Sequence, residues 1–178
     1  RSLMTARLHT AISRVLWGGV SARRWSQRRV HSIVLTSQPI VLRMHCLQGD
    51  NDPVDVVEIG SAVCEMGGIY QVKPLGVYAM LDDGELDWKV IAIRTDDPKA
   101  GAVHDVDDVE REFPGELQRI MEWFRDYKIP DGKPANAFGY GSKALDKAFT
   151  MQVVDECHGF YTKLKSGARA NTEGLSLV

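Results

Sequence analysis

The chain has 178 residues, enough for one domain with a sizeable core, and its 44% apolar and 26% charged content is that of an ordinary globular protein. No apolar run approaches the roughly 20 residues that cross a bilayer, so the sequence gives no membrane partner and a soluble protein is expected. The net charge of −2 hides a division: residues 1–49 hold 8 Arg and no acid, whereas the remainder holds all 24 acids against 14 Lys and Arg. A split of this kind marks a tail, a targeting segment or a junction.

In chain order, the segment Arg1–Arg29 is rich in Arg, Ser and Ala. Leu8, Ile12, Val15 and Leu16 fall on one helical stripe, and Gly18-Gly19 would end the helix. The composition is that of a mitochondrial transit peptide, or equally of basic sequence foreign to the folded domain. A single basic segment, with Trp17 and Trp25 as its aromatics, is weak support for a nucleic-acid partner, and none is expected. Residues 30–47 contain two β-branched runs, Ile33–Leu35 and Ile40–Leu42, separated by Pro39. Cys46, Cys64 and Cys157 are too few and too scattered for a disulfide framework or a zinc site, which favours a reducing, cytoplasmic setting.

From Gly49 the pattern changes. Strands are expected at Val54–Ile59, Ile69–Val72, Val77–Leu81 and Trp88–Ile93, with a tight turn at Asp83-Gly84. Short strands joined in this way point to an antiparallel sheet or barrel. Helices follow. Asp105–Phe113 has acids in its first turn. Pro114 fits the first turn of the next helix, whose inward face is Leu117, Ile120, Met121 and Phe124. The loop Ile129–Pro134 ends that helix. A last helix runs over Ser142–Lys165 with Ala148, Met151, Val154, Tyr161 and Leu164 inward, and residues 166–178 form a polar tail. Strands followed by helices define an α+β architecture.

Chemistry concentrates at Gly49-Asp50-Asn51-Asp52-Pro53-Val54-Asp55. Three carboxylates in six residues repel one another unless a cation neutralises them, and oxygen donors of this type select Mg²⁺, Mn²⁺ or Ca²⁺. A solvated acidic turn has the same text. An EF-hand loop does not fit: position six from Asp50 is Asp55, not Gly, and position twelve is Ser61, not Glu. A second acidic set, Asp82, Asp83, Glu85 and Asp87, flanks the turn, where Asp82 and Asp87 are expected to converge. Lys89 shares a strand face with Asp87, and Tyr127-Lys128 closes a helix before a Pro-Asp-Gly-Lys-Pro loop. Acid clusters with lysines nearby suit a polyanionic substrate bound through metal.

These motifs, in this order, resemble family I soluble inorganic pyrophosphatases of the eukaryotic type. The resemblance rests on residues 49–60, on Val72-Lys73-Pro74-Leu75-Gly76, on residues 81–93, on Phe113-Pro114-Gly115 and on residues 123–134. It covers about residues 49–165, and residues 1–48 show none of the family's text. It implies three units: a basic N-terminal segment 1–48, a pyrophosphatase domain 49–165 and a C-terminal tail 166–178. It further implies a small OB-like five-stranded barrel with helices packed on it, incomplete unless residues 30–47 supply the missing strands. By the same resemblance Asp50, Asp55, Asp82 and Asp87 are ligands of activating Mg²⁺, Asp52 is the base that takes a proton from water, and Lys89, Tyr127 and Lys128 bind phosphate oxygens. The implied activity is Mg²⁺-dependent hydrolysis of pyrophosphate by a homodimer. The alternative is a non-catalytic remnant that keeps metal binding or dimer formation.

Overall fold

The computed structural model describes residues 34–35, 54–64 and 68–172. Five strands form one mixed sheet: β1 (Val34–Leu35), β2 (Asp55–Glu58), β3 (Gln71–Asp82), β4 (Glu85–Arg94) and β5 (Ala137–Phe138). The order is β1-β3-β4-β2, with β5 also on β3. Three helices complete it: α1 (Val106–Glu112), α2 (Glu116–Asp126) and α3 (Lys147–Lys165). The architecture is α+β as expected, and among the described residues the sheet is open rather than closed into a barrel.

The β3–β4 hairpin is the spine. Its two-residue turn, Asp83-Gly84, has positive φ at both positions (50° and 92°), the conformation that matches strand twist. The expectation of two strands either side of Pro74 is corrected: β3 is a single strand of 12 residues, and the register shifts between Pro74 and Gly76. A bulge absorbs the proline, which has no N–H to give the ladder. Gly76 allows close approach here. A Cβ would lie 2.4 Å from Val106 Cγ1 and 2.9 Å from the Leu145 carbonyl oxygen. Through that approach Val77 and Leu145 exchange backbone hydrogen bonds of 3.1 and 2.9 Å, which ties the entry to α3 onto the sheet.

The antiparallel expectation holds for β3–β4 and β3–β5 only. β1 pairs with β3, and β2 with β4, in parallel. The second pairing sets Asp55 opposite Lys89 and Val56 opposite Val90. Both sheet faces are covered, so central strands read as continuous apolar text rather than alternation. One face carries Val56, Val77, Ala79, Val90 and Ala92 against Val153, Val154 and Cys157 of α3. The other carries Tyr78, Met80, Ile91 and Ile93 against Val109 of α1 and Ile120, Met121 and Phe124 of α2.

Helix ends follow local chemistry. Asp105 caps α1 by accepting from Val106 N at 2.7 Å, and the same oxygen accepts from Lys147 N, the first residue of α3, at 3.0 Å. Asp146 caps α3 by accepting from Phe149 N at 2.8 Å. Pro114 precedes the α2 cap, Gly115, instead of lying in the first turn; Gly115 takes φ 74°, and the helix starts only after that left-handed residue. The inward face of α3 is Thr150, Val153, Val154, Cys157 and Leu164. Of the expected stripe, Val154 and Leu164 face inward, Tyr161 is half-buried, and Ala148 and Met151 face solvent. Thr150 tolerates burial because its hydroxyl donates to the Asp146 carbonyl. The helix ends at Lys165 as expected. No described helix is long and apolar enough to cross a membrane.

Candidate functional site

The hairpin and the parallel strand β2 build the site on the sheet face that carries α1 and α2. Alternation puts Asp87, Lys89 and Ile91 on one side of β4, and the in-register pairing brings Asp55 of β2 beside Lys89. Lys89 is buried. Its Nζ donates to Asp55 Oδ2 at 2.5 Å and to Asp87 Oδ2 at 2.5 Å. The Phe124 ring of α2 lies 5.2 Å from the same nitrogen and floors it. Burial pulls the Lys89 ammonium down, but Asp55 and Asp87 outweigh it and hold the group above the ordinary lysine value.

A second pair lies at the end of the hairpin. Lys128, just past α2, donates to both oxygens of Asp82, 46 residues away in sequence. Here too burial lowers the lysine and is outweighed, by Asp82 and the Tyr127 hydroxyl, so its pKa stands above the ordinary value. Tyr127 stacks on Trp123 at 5.1 Å and 15° between planes. Burial pushes its phenol up, and Lys128 partly opposes that. Lys133 reaches Asp83 at 3.4 Å, so the loop after α2 is tied twice to the hairpin end.

Asp55, Asp87 and Lys89 are thus brought together, as are Asp82, Tyr127 and Lys128. In the ladder Asp82 stands opposite Glu85 and Asp87 opposite Met80, so Asp82 and Asp87 are diagonal neighbours on one face of the hairpin, and each contacts a different lysine. Among the described residues no three His, Cys, Asp or Glu gather into one cage. Asp50 and Asp52 lie outside the described residues. Sequence reading placed Phe124 in the core and missed its place beneath Lys89. The signal was available: Phe124 precedes Tyr127 by three residues, and both therefore lie along one side of α2.

The donor set suits a hard cation. Two carboxylate oxygens converge on one ammonium nitrogen, so the backbone already presents paired oxygen ligands to a single positive charge.

Comparison with known proteins identifies the family. The family model for inorganic pyrophosphatase matches residues 33–162, beginning upstream of Gly49, where the sequence resemblance was placed. Soluble inorganic pyrophosphatase 1, chloroplastic, of Chlamydomonas reinhardtii is 68% identical over 130 residues, which are 73% of this chain and 46% of that protein. Type I inorganic pyrophosphatase from Toxoplasma gondii superposes with a TM-score of 0.64 at 50% identity, covering 65% of this chain and 50% of that one. The N-terminal domain truncated vacuolar soluble pyrophosphatase of Trypanosoma cruzi, solved with PPi, gives 0.65 at 39% identity, covering 79% and 51%. The chain spans about half the length of these relatives. With the family model matched over most of the chain and relatives this similar in sequence and fold, the chain belongs to the inorganic pyrophosphatase family.

Proposed function

We propose that this chain carries the metal- and phosphate-binding half of an inorganic pyrophosphatase, within an OB-like barrel it supplies in part, and that Mg²⁺ is its cation. The observation behind the proposal is the Asp55–Lys89–Asp87 contact: two carboxylates and a buried ammonium, held in register by β2 and β4, on a scaffold whose relatives hydrolyse or bind PPi by name. Asp50, Asp55, Asp82 and Asp87 would hold the metal. When bound, Mg²⁺ lowers the pKa of water and shields a polyanion from its attacker. Asp52 takes the proton as the water oxygen adds to one phosphorus and the bridging P–O bond breaks, leaving two phosphates. Lys89, Lys128 and the Tyr127 hydroxyl orient the substrate and take up charge that develops on the leaving phosphate. Two such units form the proposed homodimer.

Phosphate release from pyrophosphate, with Mg²⁺ and with EDTA, tests the reading. Turnover is expected only with Mg²⁺, and Asp52→Asn should lower it by about 10²–10⁴-fold. Intact Mg²⁺ uptake with no release would replace hydrolysis by the non-catalytic alternative. The acid-free, Arg-rich segment 1–49 and the chloroplastic name of the algal relative together support delivery to an organelle rather than the cytoplasm. A fluorescent reporter fused behind residues 1–49 should leave the cytosol, and retention there would refute delivery.

A further inference from the structure

Asn136 is the one buried residue between positions 125 and 149, and the residues just before it, 129–135, are all exposed. A lone anchor in such a stretch would gain most from an apolar side chain. A buried amide is costly there unless its donors are satisfied, and those of Asn136 are. Its backbone N–H donates to the Arg125 carbonyl at 2.8 Å. Its Nδ2 donates to the Phe124 carbonyl at 2.8 Å and to Met80 Sδ at 3.6 Å.

Both carbonyls belong to the last turn of α2, where a helix has no N–H ahead to fill them. That turn runs directly into Tyr127 and Lys128. On its other side Asn136 leads into β5, whose Ala137 pairs with Leu81 of β3, the neighbour of Asp82. Met80 in turn stands opposite Asp87. One residue therefore joins the end of α2 to the acidic hairpin. The loop between them, exposed from Ile129 to Ala135, buries little that could fix the same position. Resting on the functional reading above, we infer that Asn136 is a positioning residue: it clamps the last turn of α2 onto β3 and so sets where the Tyr127 hydroxyl and the Lys128 ammonium meet a phosphate.

Asn136→Asp removes the donor at nearly constant volume and puts an oxygen against the Phe124 carbonyl, at the negative end of the helix dipole. The full chain is titrated with inorganic phosphate by calorimetry in the presence of Mg²⁺. Asn136→Asp and Asn136→Ala, each shown to be folded by urea unfolding, should weaken phosphate binding at least about fivefold. In a chain that already carries Tyr127→Phe and Lys128→Gln, adding Asn136→Asp should weaken it by less than about twofold. Asp146→Ala, which loosens the start of α3 instead, should bind phosphate as the parent does. In the unmutated chain the Asn136 Nδ2 protons should exchange with solvent more slowly than those of exposed Asn171, a measurement that needs no variant to fold. Parent-like phosphate binding in the Asn136 variants overturns the clamp. So does an equal loss in Asp146→Ala, a full further loss without Tyr127 and Lys128, or fast exchange at Asn136. Each of these leaves the functional reading standing. A parent chain that takes up no phosphate with Mg²⁺ overturns both.

Discussion

Asp55 and Asp87 contact the same lysine, yet they differ in what their loss should do in the absence of metal. The Asp87 side chain is 15% exposed and Lys89 4%, whereas Asp55 is 41% exposed. Removing one partner of a buried pair leaves an uncompensated charge, an effect of about 3–5 kcal/mol. In Asp87→Asn the amide oxygen still accepts from Lys89 and Asp55 remains, which brings the expected loss to about 2–3 kcal/mol, below the full effect for a buried pair. Asp55→Asn falls nearer the exposed regime, at about 1 kcal/mol or less, because water takes the place of the lost charge. For a domain of this size the Asp87 variant should melt roughly 4–12 °C lower. Urea unfolding followed by tryptophan fluorescence in EDTA measures both. Equal losses in the two variants, or an Asp87→Asn loss well under 1 kcal/mol, would refute the claim that burial sets the strength of these contacts.

Asp105 holds two helix starts and Asp146 one, so Asp105→Ala should destabilise by about 2–3 kcal/mol and Asp146→Ala by about 1 kcal/mol in the same unfolding assay. Equal losses would mean that the Lys147 contact contributes nothing. Glu58 gives a pH dependence. Burial raises its carboxyl above the usual range, opposed by N–H donors from Arg94 and Gly60, with Asp97 adding to the rise. The folded state therefore holds the Glu58 proton more tightly than the unfolded chain. Its contribution to stability is fully present below pH 4.5 and is lost as pH rises through the folded value. Stability profiles of the parent and Glu58→Gln should diverge in that window, with the variant flatter; parallel profiles would count against the shift.

Local rules in the sequence reach some of this site and not the rest. The Asp83-Gly84 turn, the acids in the first turn of α1 and the shared face of Asp87 and Lys89 depend on neighbours a few residues away, and each is observed. The split placed at Pro74 failed because a bulge tolerates the proline, and the α3 stripe caught Val154 and Leu164 but missed Thr150, whose hydroxyl is satisfied by the Asp146 carbonyl. The pairings Asp55–Lys89 and Asp82–Lys128 span 34 and 46 residues. No pattern in either segment announces them; they follow from a parallel strand pairing and from the route of the chain after α2. The family resemblance supplied those roles instead, and it named the lysines for phosphate without showing that they also neutralise the acids.

The shortness of β2 has a consequence for how the charged contact is specified. The strand has four residues, and Val56, fully buried against Val90, is the one that fixes its seating. A slip of one residue would take Val56 off the α3 side of the sheet and carry Asp55 onto it, away from Lys89. The attraction between Asp55 and Lys89 is too weak to hold that alignment against such a loss of apolar burial. A valine that touches neither metal nor phosphate therefore spells out where the charges meet, and trimming Val56 would misplace the chemistry before it removed a single ionisable group.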